Sequence, residues 1–166
     1  MATENKPAQF LERELRLTRL LNAPREKVFQ VWTDERHLKQ WWGPHRFTNP
    51  VCKVDARPDG AIHIDMCGPD GTIYPMAGSY QEIVEPELLI FTSIPLDRNG
   101  KPLFQVLITV NLSELNDKTE LTVQASVLEA TDQAGRYLDG MEIGWTQSLE
   151  RLDTYLASQQ FRKEEE

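Results

Sequence analysis

The chain has 166 residues, 40% of them hydrophobic, with a formal net charge of −8 and a pI of about 5.0. That length and apolar content suit one domain with a real core. The acidic balance, with no basic patch interleaved with aromatics, argues against nucleic acid or an anionic membrane surface as a partner. No apolar run approaches the roughly 18 residues that span a bilayer. Residues Met1 to Gln9 are polar and lack the apolar stretch of a signal peptide, so 1–11 reads as a flexible arm. A cytoplasmic protein is the expectation.

In chain order, Glu12 to Leu21 comes first. Leu15 and Leu17 alternate with Glu14, Arg16 and Thr18, which is strand-like. Asn22-Ala-Pro-Arg-Glu26 opens a helix, with Pro24 suited to a first helical position and Val28, Val31 and Trp32 as its apolar face. Thr33-Asp34 breaks and recaps it, and a second short helix carries Leu38 and Trp41. Trp41-Trp42-Gly43-Pro44 ends that helix, because glycine takes a left-handed cap and proline cannot continue.

From Thr48 the period switches to two. The strands expected are Val51 to Arg57, Ala61 to Cys67, Thr72 to Val84, Leu88 to Ile94, Leu103 to Leu112 and Thr119 to Leu128. Pro58-Asp59-Gly60, Gly68-Pro69-Asp70-Gly71, Asp97-Arg98-Asn99-Gly100 and Asn116-Asp117 supply the turns between them. Phe104, Val106, Ile108, Val110 and Leu112 share one face, as do Leu121, Val123, Ala125 and Val127. If Asp59-Gly60 is a two-residue hairpin turn, Cys52 falls opposite Cys67. Two reduced thiols are expected there.

The last element, Thr131 to Ser158, is a long helix. Leu138, Met141, Trp145, Leu149, Leu152 and Leu156 recur at steps of 3, 4, 4, 3 and 4, which keeps all six on one stripe. Thr131 or Asp132 can cap its start. Tyr137, Gly144, Ser148 and Tyr155 flank the stripe, while Asp139, Glu142, Gln147, Glu150 and Asp153 face away. Residues 159–166 read as a charged tail, leaving 12–158 as the single domain. A helix with one apolar stripe needs a broad apolar surface, and an antiparallel meander with one buried face provides it. The class is α+β.

At this point the residues resemble a known family. Ala23-Pro24-x-x-x-Val28-Phe29-x-x-Trp32-Thr33, Trp41-Trp42-Gly43-Pro44 and Gly68-Pro69-Asp70-Gly71 are similar to segments of the activator-of-heat-shock-protein-90-ATPase homologue family. So are Gly78-x-Tyr80-x-Glu82-Ile83-Val84-x-Pro86-Glu87-x-Leu89-x-Phe91-Thr92, Thr119-x-Leu121-Thr122-Val123 and Gly144-Trp145-x-x-Ser148-Leu149-x-x-Leu152. They run in family order from about Glu12 to Ser158. That family lies within the START-like, birch-pollen-allergen-like superfamily. The resemblance implies a helix-grip fold, with a curved antiparallel sheet of six to seven strands around the long C-terminal helix and a cavity between them. Many superfamily members bind an apolar small molecule there, and some are cyclases or hydrolases. The namesake co-chaperones carry an additional amino-terminal domain that contributes to chaperone binding. This chain begins its first strand by about Glu12, so a chaperone partner is not expected.

The candidate ligand-cavity residues are Trp41, Trp42, Tyr80, Phe91, Phe104, Ile108, Tyr137, Met141, Trp145 and Ser148. Aromatic rings give large contact area at low entropy cost, and apolar pockets with few polar groups are usual for ligand sites. The plainer alternative is a filled core, and for Trp41 helix-cap packing. Small residues at Gly144 and Ser148 favour open space beside Trp145. His63 and Asp65 could form an acid–base pair, but they alternate with Ile62, Ile64 and Met66 and should face solvent. No catalytic residue is assigned. His37 near Asp34, and His45, lack the further ligands of a metal site, so neither metal nor cofactor is expected. Three functions follow. The first is a binding protein for a hydrophobic or aromatic small molecule. The second is an enzyme using Tyr80, Tyr137 or Ser148 in the same cavity. The third is an interaction module working through the acidic surface. A homodimer is compatible with each.

Overall fold

The computed structural model describes residues 14–130 and 139–165, with side chains to residue 159. Strand β1 (Glu14–Leu21) is followed by helices α1 (Arg25–Thr33) and α2 (Glu35–Trp41). Six strands then follow: β2 (Thr48–Val54), β3 (Ala61–Cys67), β4 (Ile73–Val84), β5 (Leu88–Pro95), β6 (Phe104–Leu115) and β7 (Lys118–Ala130). Helix α3 (Met141–Glu165) closes the chain. All seven strands form one antiparallel sheet in the order β1-β7-β6-β5-β4-β3-β2. This is the α+β helix-grip arrangement.

Local chemistry explains most boundaries. Asp34 sits in extended conformation between α1 and α2, and its carboxylate accepts the Arg36 backbone N–H at 2.9 Å. It thereby satisfies one of the donors a helix start leaves unpaired. Trp42 ends α2 in extended backbone, and Gly43 follows at φ +97°. A Cβ at Gly43 would also lie 2.9 Å from the Met66 sulfur, so the bend requires glycine. Gly78 is required for a different reason, since a Cβ there would meet the Thr92 carbonyl oxygen of the neighbouring strand at 2.0 Å.

The sheet curves at ladder irregularities between Tyr80 and Glu82 and between Gln105 and Val106. Its concave face presents Ile64, Leu89, Ile108, Val110, Leu121 and Val123, all buried. Leu149, Leu152 and Leu156 of α3 are buried too, while Met141 and Trp145 at the start of the helix are only half-buried. Burial of each leucine stabilises by about 2 kcal/mol. The stripe is therefore sealed at one end and open at the other, and α3 packs on β1 and α2.

Two expectations need correction. The thiols of Cys52 and Cys67 are not cross-strand neighbours, for Cys52 pairs with Ile64, and Cys67 pairs with Thr48. The turn is longer than two residues. Asp55 N–H bonds the Ala61 carbonyl, Gly60 N–H bonds the Arg57 carbonyl, and Tyr80 N–H reaches the Gly60 carbonyl, which fixes another register. Burial pushes the Cys52 thiol up to about 11, so it stays protonated. Helix α3 is described over Met141–Glu165, with the Gly140 carbonyl accepting from the Gly144 N–H, so helical backbone continues past Ser158, where the sequence expectation ended it. The proposed caps Thr131 and Asp132 lie outside the described residues, as do Tyr137 and Leu138.

Candidate ligand cavity

Where the stripe opens, a cavity of about 550 Å³ lies between the sheet and α3. Trp42, Phe104, Ile108, Met141, Trp145 and Ser148 line it. Gly43 and Pro44 close one side, and Met66 and Met76 rise from the sheet. Thr72, Ile73 and Arg98 form its exposed rim. The lining is mainly apolar, and among the described residues its charged members are Asp97 and Arg98.

Gly144 and Ser148 both face this space, and a Cβ built at Gly144 meets nothing within 4 Å. The helix flank of small residues is thus matched by real room. A cavity of a few hundred cubic ångströms walled by aromatics and methionines is the usual setting for a small apolar ligand. Methionine adapts its shape to irregular surfaces.

Trp41 is not part of it. Its ring is fully buried, its Nε1–H donates to the Val31 carbonyl at 3.0 Å, and it packs edge-on against Trp32 at 4.7 Å. Tyr80 and Phe91 are also absent from the wall. They line a much smaller inner void of about 10 Å³ with Trp32, Ile62, Ile64 and Leu89. Trp42 and Met76 border both spaces. Burial raises the Tyr80 phenol above its ordinary value, so it remains neutral and is no base at neutral pH.

Trp32 is the centre of an aromatic cluster that the sequence reading placed only on a helix face. It stacks on Trp145 at 6.2 Å and 16°, and meets Trp42 edge-on at 6.4 Å. Trp42 in turn meets Trp145 at 5.5 Å. Such contacts add about 0.5–1.5 kcal/mol each beyond area burial. The cluster fixes the two tryptophans that face the cavity.

The Trp42–Pro44 wall is held from α3. Arg151 Nη1 donates to the carbonyls of Trp42, Gly43 and Pro44 at 3.0, 3.0 and 2.9 Å, and Nη2 donates to Gln40 at 3.2 Å. Burial lowers the proton affinity of this guanidinium. The His45 backbone N–H donates to Gln147 Oε1 at 3.1 Å, and His45 Nε2 lies 3.1 Å from Glu150. No local signal marked Arg151, because its partners are backbone carbonyls far away in sequence.

His63 and Asp65 share the outer face of β3, with His63 Nε2 3.1 Å from Asp65 Oδ1. Neither lines the cavity. Among the described residues no group of three or more His, Cys, Asp or Glu side chains is placed to hold a metal ion. No described helix is long and apolar enough to cross a membrane.

Comparison with known proteins agrees with this architecture. A protein of Arthrobacter aurescens is 26% identical, with a TM-score of 0.79 over 92% of this chain and 90% of its own. A protein of Chromobacterium violaceum is 28% identical, with a TM-score of 0.71 over 85% of this chain and 95% of its own. The AHSA1 protein of Silicibacter pomeroyi, 23% identical, shares the fold at a TM-score of 0.76 over 89% and 99% of the two chains. No curated protein sequence matches the chain. Residues 22–157, nearly the whole sheet and most of α3, match the family described as Activator of Hsp90 ATPase homolog 1-like protein, and the chain belongs to that family.

Proposed function

We propose that this chain is a soluble, cytoplasmic binding protein that holds a hydrophobic or aromatic small molecule between the sheet and α3. The observation that carries this reading is the 550 Å³ space, kept open beside Trp145 by Gly144 and Ser148. A sequence needing only a filled core has no use for that gap, since lost packing costs stability. Trp42, Phe104, Ile108, Met141, Trp145 and Ser148 are the contact residues in this proposal.

Binding is favoured over catalysis by where the described titratable candidates lie. His63 and Asp65 are on the outer face, and Tyr80 lines the inner void. Titration with the neutral fluorophore N-phenyl-1-naphthylamine tests the reading. Saturable binding of one equivalent, with quenching of tryptophan emission, is expected because Trp42 and Trp145 face the space. Absence of saturable binding, together with unchanged emission for chemically varied apolar compounds, counts against it.

A further inference from the structure

The charged residues in the cavity wall, Asp97 and Arg98, are adjacent on the turn between β5 and β6. Their circumstances differ. Asp97 Oδ1 accepts the backbone N–H groups of Asn99 and Lys101 at 2.8 and 2.9 Å. The Asp97 N–H also donates to the Lys101 carbonyl at 2.8 Å, so the Asp97 backbone and Oδ1 are both engaged within its own turn. Leu96 N–H to the Pro75 carbonyl (3.0 Å) and Leu103 N–H to the Pro95 carbonyl (2.9 Å) fasten both ends of the turn to the sheet. Arg98 is exposed at the tip, and it forms no salt bridge with any carboxylate among the described residues. A fixed turn therefore presents an uncommitted guanidinium at the rim of an apolar space.

We propose that Arg98 selects an occupant with a carboxylate head, an amphiphile whose apolar chain or ring lies against Trp42, Phe104 and Trp145. This inference rests on the binding reading above. A guanidinium offers a planar fork that matches a carboxylate with two parallel hydrogen bonds. A carboxylate drawn into the apolar interior would carry a large desolvation cost, so the head belongs at the wet rim where Arg98 stands. The chain's net charge of −8 opposes an anion at long range. At physiological salt that field is screened beyond about 8 Å, so the nearby guanidinium decides. A cationic head meets the reverse situation, repelled by the exposed Arg98 at the rim, while the less exposed Asp97 has Oδ1 engaged by two backbone N–H groups of its own turn.

The test compares decanoate with decan-1-ol as displacers of N-phenyl-1-naphthylamine from the full chain, in wild type, Arg98→Gln and Arg98→Lys. Arg98 is exposed on a turn, and matched circular dichroism and Tm confirm folding of the variants. Decanoate should bind more tightly than decanol to wild type. Arg98→Gln should weaken decanoate roughly fivefold, the scale of a partly exposed charge pair, and leave decanol unchanged. Arg98→Lys should fall between, and added NaCl should weaken decanoate alone. An acid-to-alcohol ratio that is unity or inverted in wild type, or unchanged by Arg98→Gln, overturns the head-group assignment while the binding reading stands. If the probe itself does not bind, the binding reading fails and this assignment with it.

Discussion

Arg151 holds the Gly43 carbonyl at 3.0 Å, and through the same Nη1 it holds the carbonyls on either side. One side chain of α3 thus satisfies the exposed backbone at the end of α2 and positions the wall of the cavity. Helix ends leave carbonyls without internal partners, and a cation there also meets the favourable end of the helix dipole. The fold and the proposed site share this contact.

Replacing Arg151 with methionine keeps much of the side chain's apolar length and removes its donors. Denaturant unfolding should show a loss of about 2 kcal/mol, the scale of hydrogen bonds involving a charged group. Affinity for N-phenyl-1-naphthylamine should fall as well, because the Trp42–Pro44 wall loses its tether. Arg151→Lys should recover part of both, since an ammonium cannot span all four carbonyls. Unchanged stability in Arg151→Met would show that the loop holds itself.

Trp41 and Trp42 should respond differently to substitution. Trp41→Phe deletes the bond to the Val31 carbonyl from a fully buried ring. We expect a cost of about 1–3 kcal/mol with little change in probe affinity of the folded protein. Trp42→Phe should shift affinity, because that ring borders the cavity. Equal effects of both on affinity would place Trp41 in the wall after all.

The inverse experiment uses the empty space at Gly144. Alanine there relieves the entropic cost of a helical glycine and meets no neighbour, so stability should rise by up to about 1 kcal/mol. Phenylalanine should fill the cavity and abolish probe binding while the protein stays folded. A large destabilisation by Gly144→Ala would mean the space is not there.

Stability should fall in mild acid through His37. Its Nδ1 lies 2.7 Å from the Tyr155 hydroxyl, and burial, with lesser contributions from Lys27 and Arg36 against Asp34, lowers its pKa below the ordinary 6.5. A ring with a depressed folded pKa binds its proton more weakly folded than unfolded. Its contribution is full above the unfolded value and is lost as pH drops below it. Urea midpoints at about pH 7.5 and about pH 5 should show the decline, and His37→Gln should flatten it. Asp34 acts lower. Its hydrogen bond with Arg36 takes its pKa from 3.8 to about 2, so its contribution is lost only as pH falls through that range. A slope between pH 7.5 and pH 5 that persists in His37→Gln would assign it to another group.

Much of the fold was legible because its signals are periodic. Phe104 to Leu112 alternate, and they line the inner face of β6. Met141 to Leu156 keep helical spacing, and the later members are buried. The glycines and the Asn116-Asp117 pair mark turns in which several residues take positive φ. The cysteine register was not legible, because the Asp55–Gly60 loop bonds to itself and to Tyr80 rather than closing as a tight turn.

The cavity was partly legible for a related reason. Periodicity tells which face a residue occupies, not how far along the groove it sits. Phe91 and Phe104 are both buried on the inner face, yet only Phe104 reaches the large space. Trp41 and Trp42 are neighbours, yet the helix ends between them and sends one ring to the core and the other to the cavity. Arg98 read only as part of a hairpin turn, since nothing local says that the turn overhangs a pocket.

The most direct test of the binding account is native mass spectrometry of the freshly purified protein and of Gly144→Phe, each before and after incubation with apolar compounds. The account predicts a reproducible one-to-one small-molecule adduct on the wild type and none on the folded Gly144→Phe protein. A bare mass for the wild type under every condition, or an equal adduct on both proteins, would contradict it.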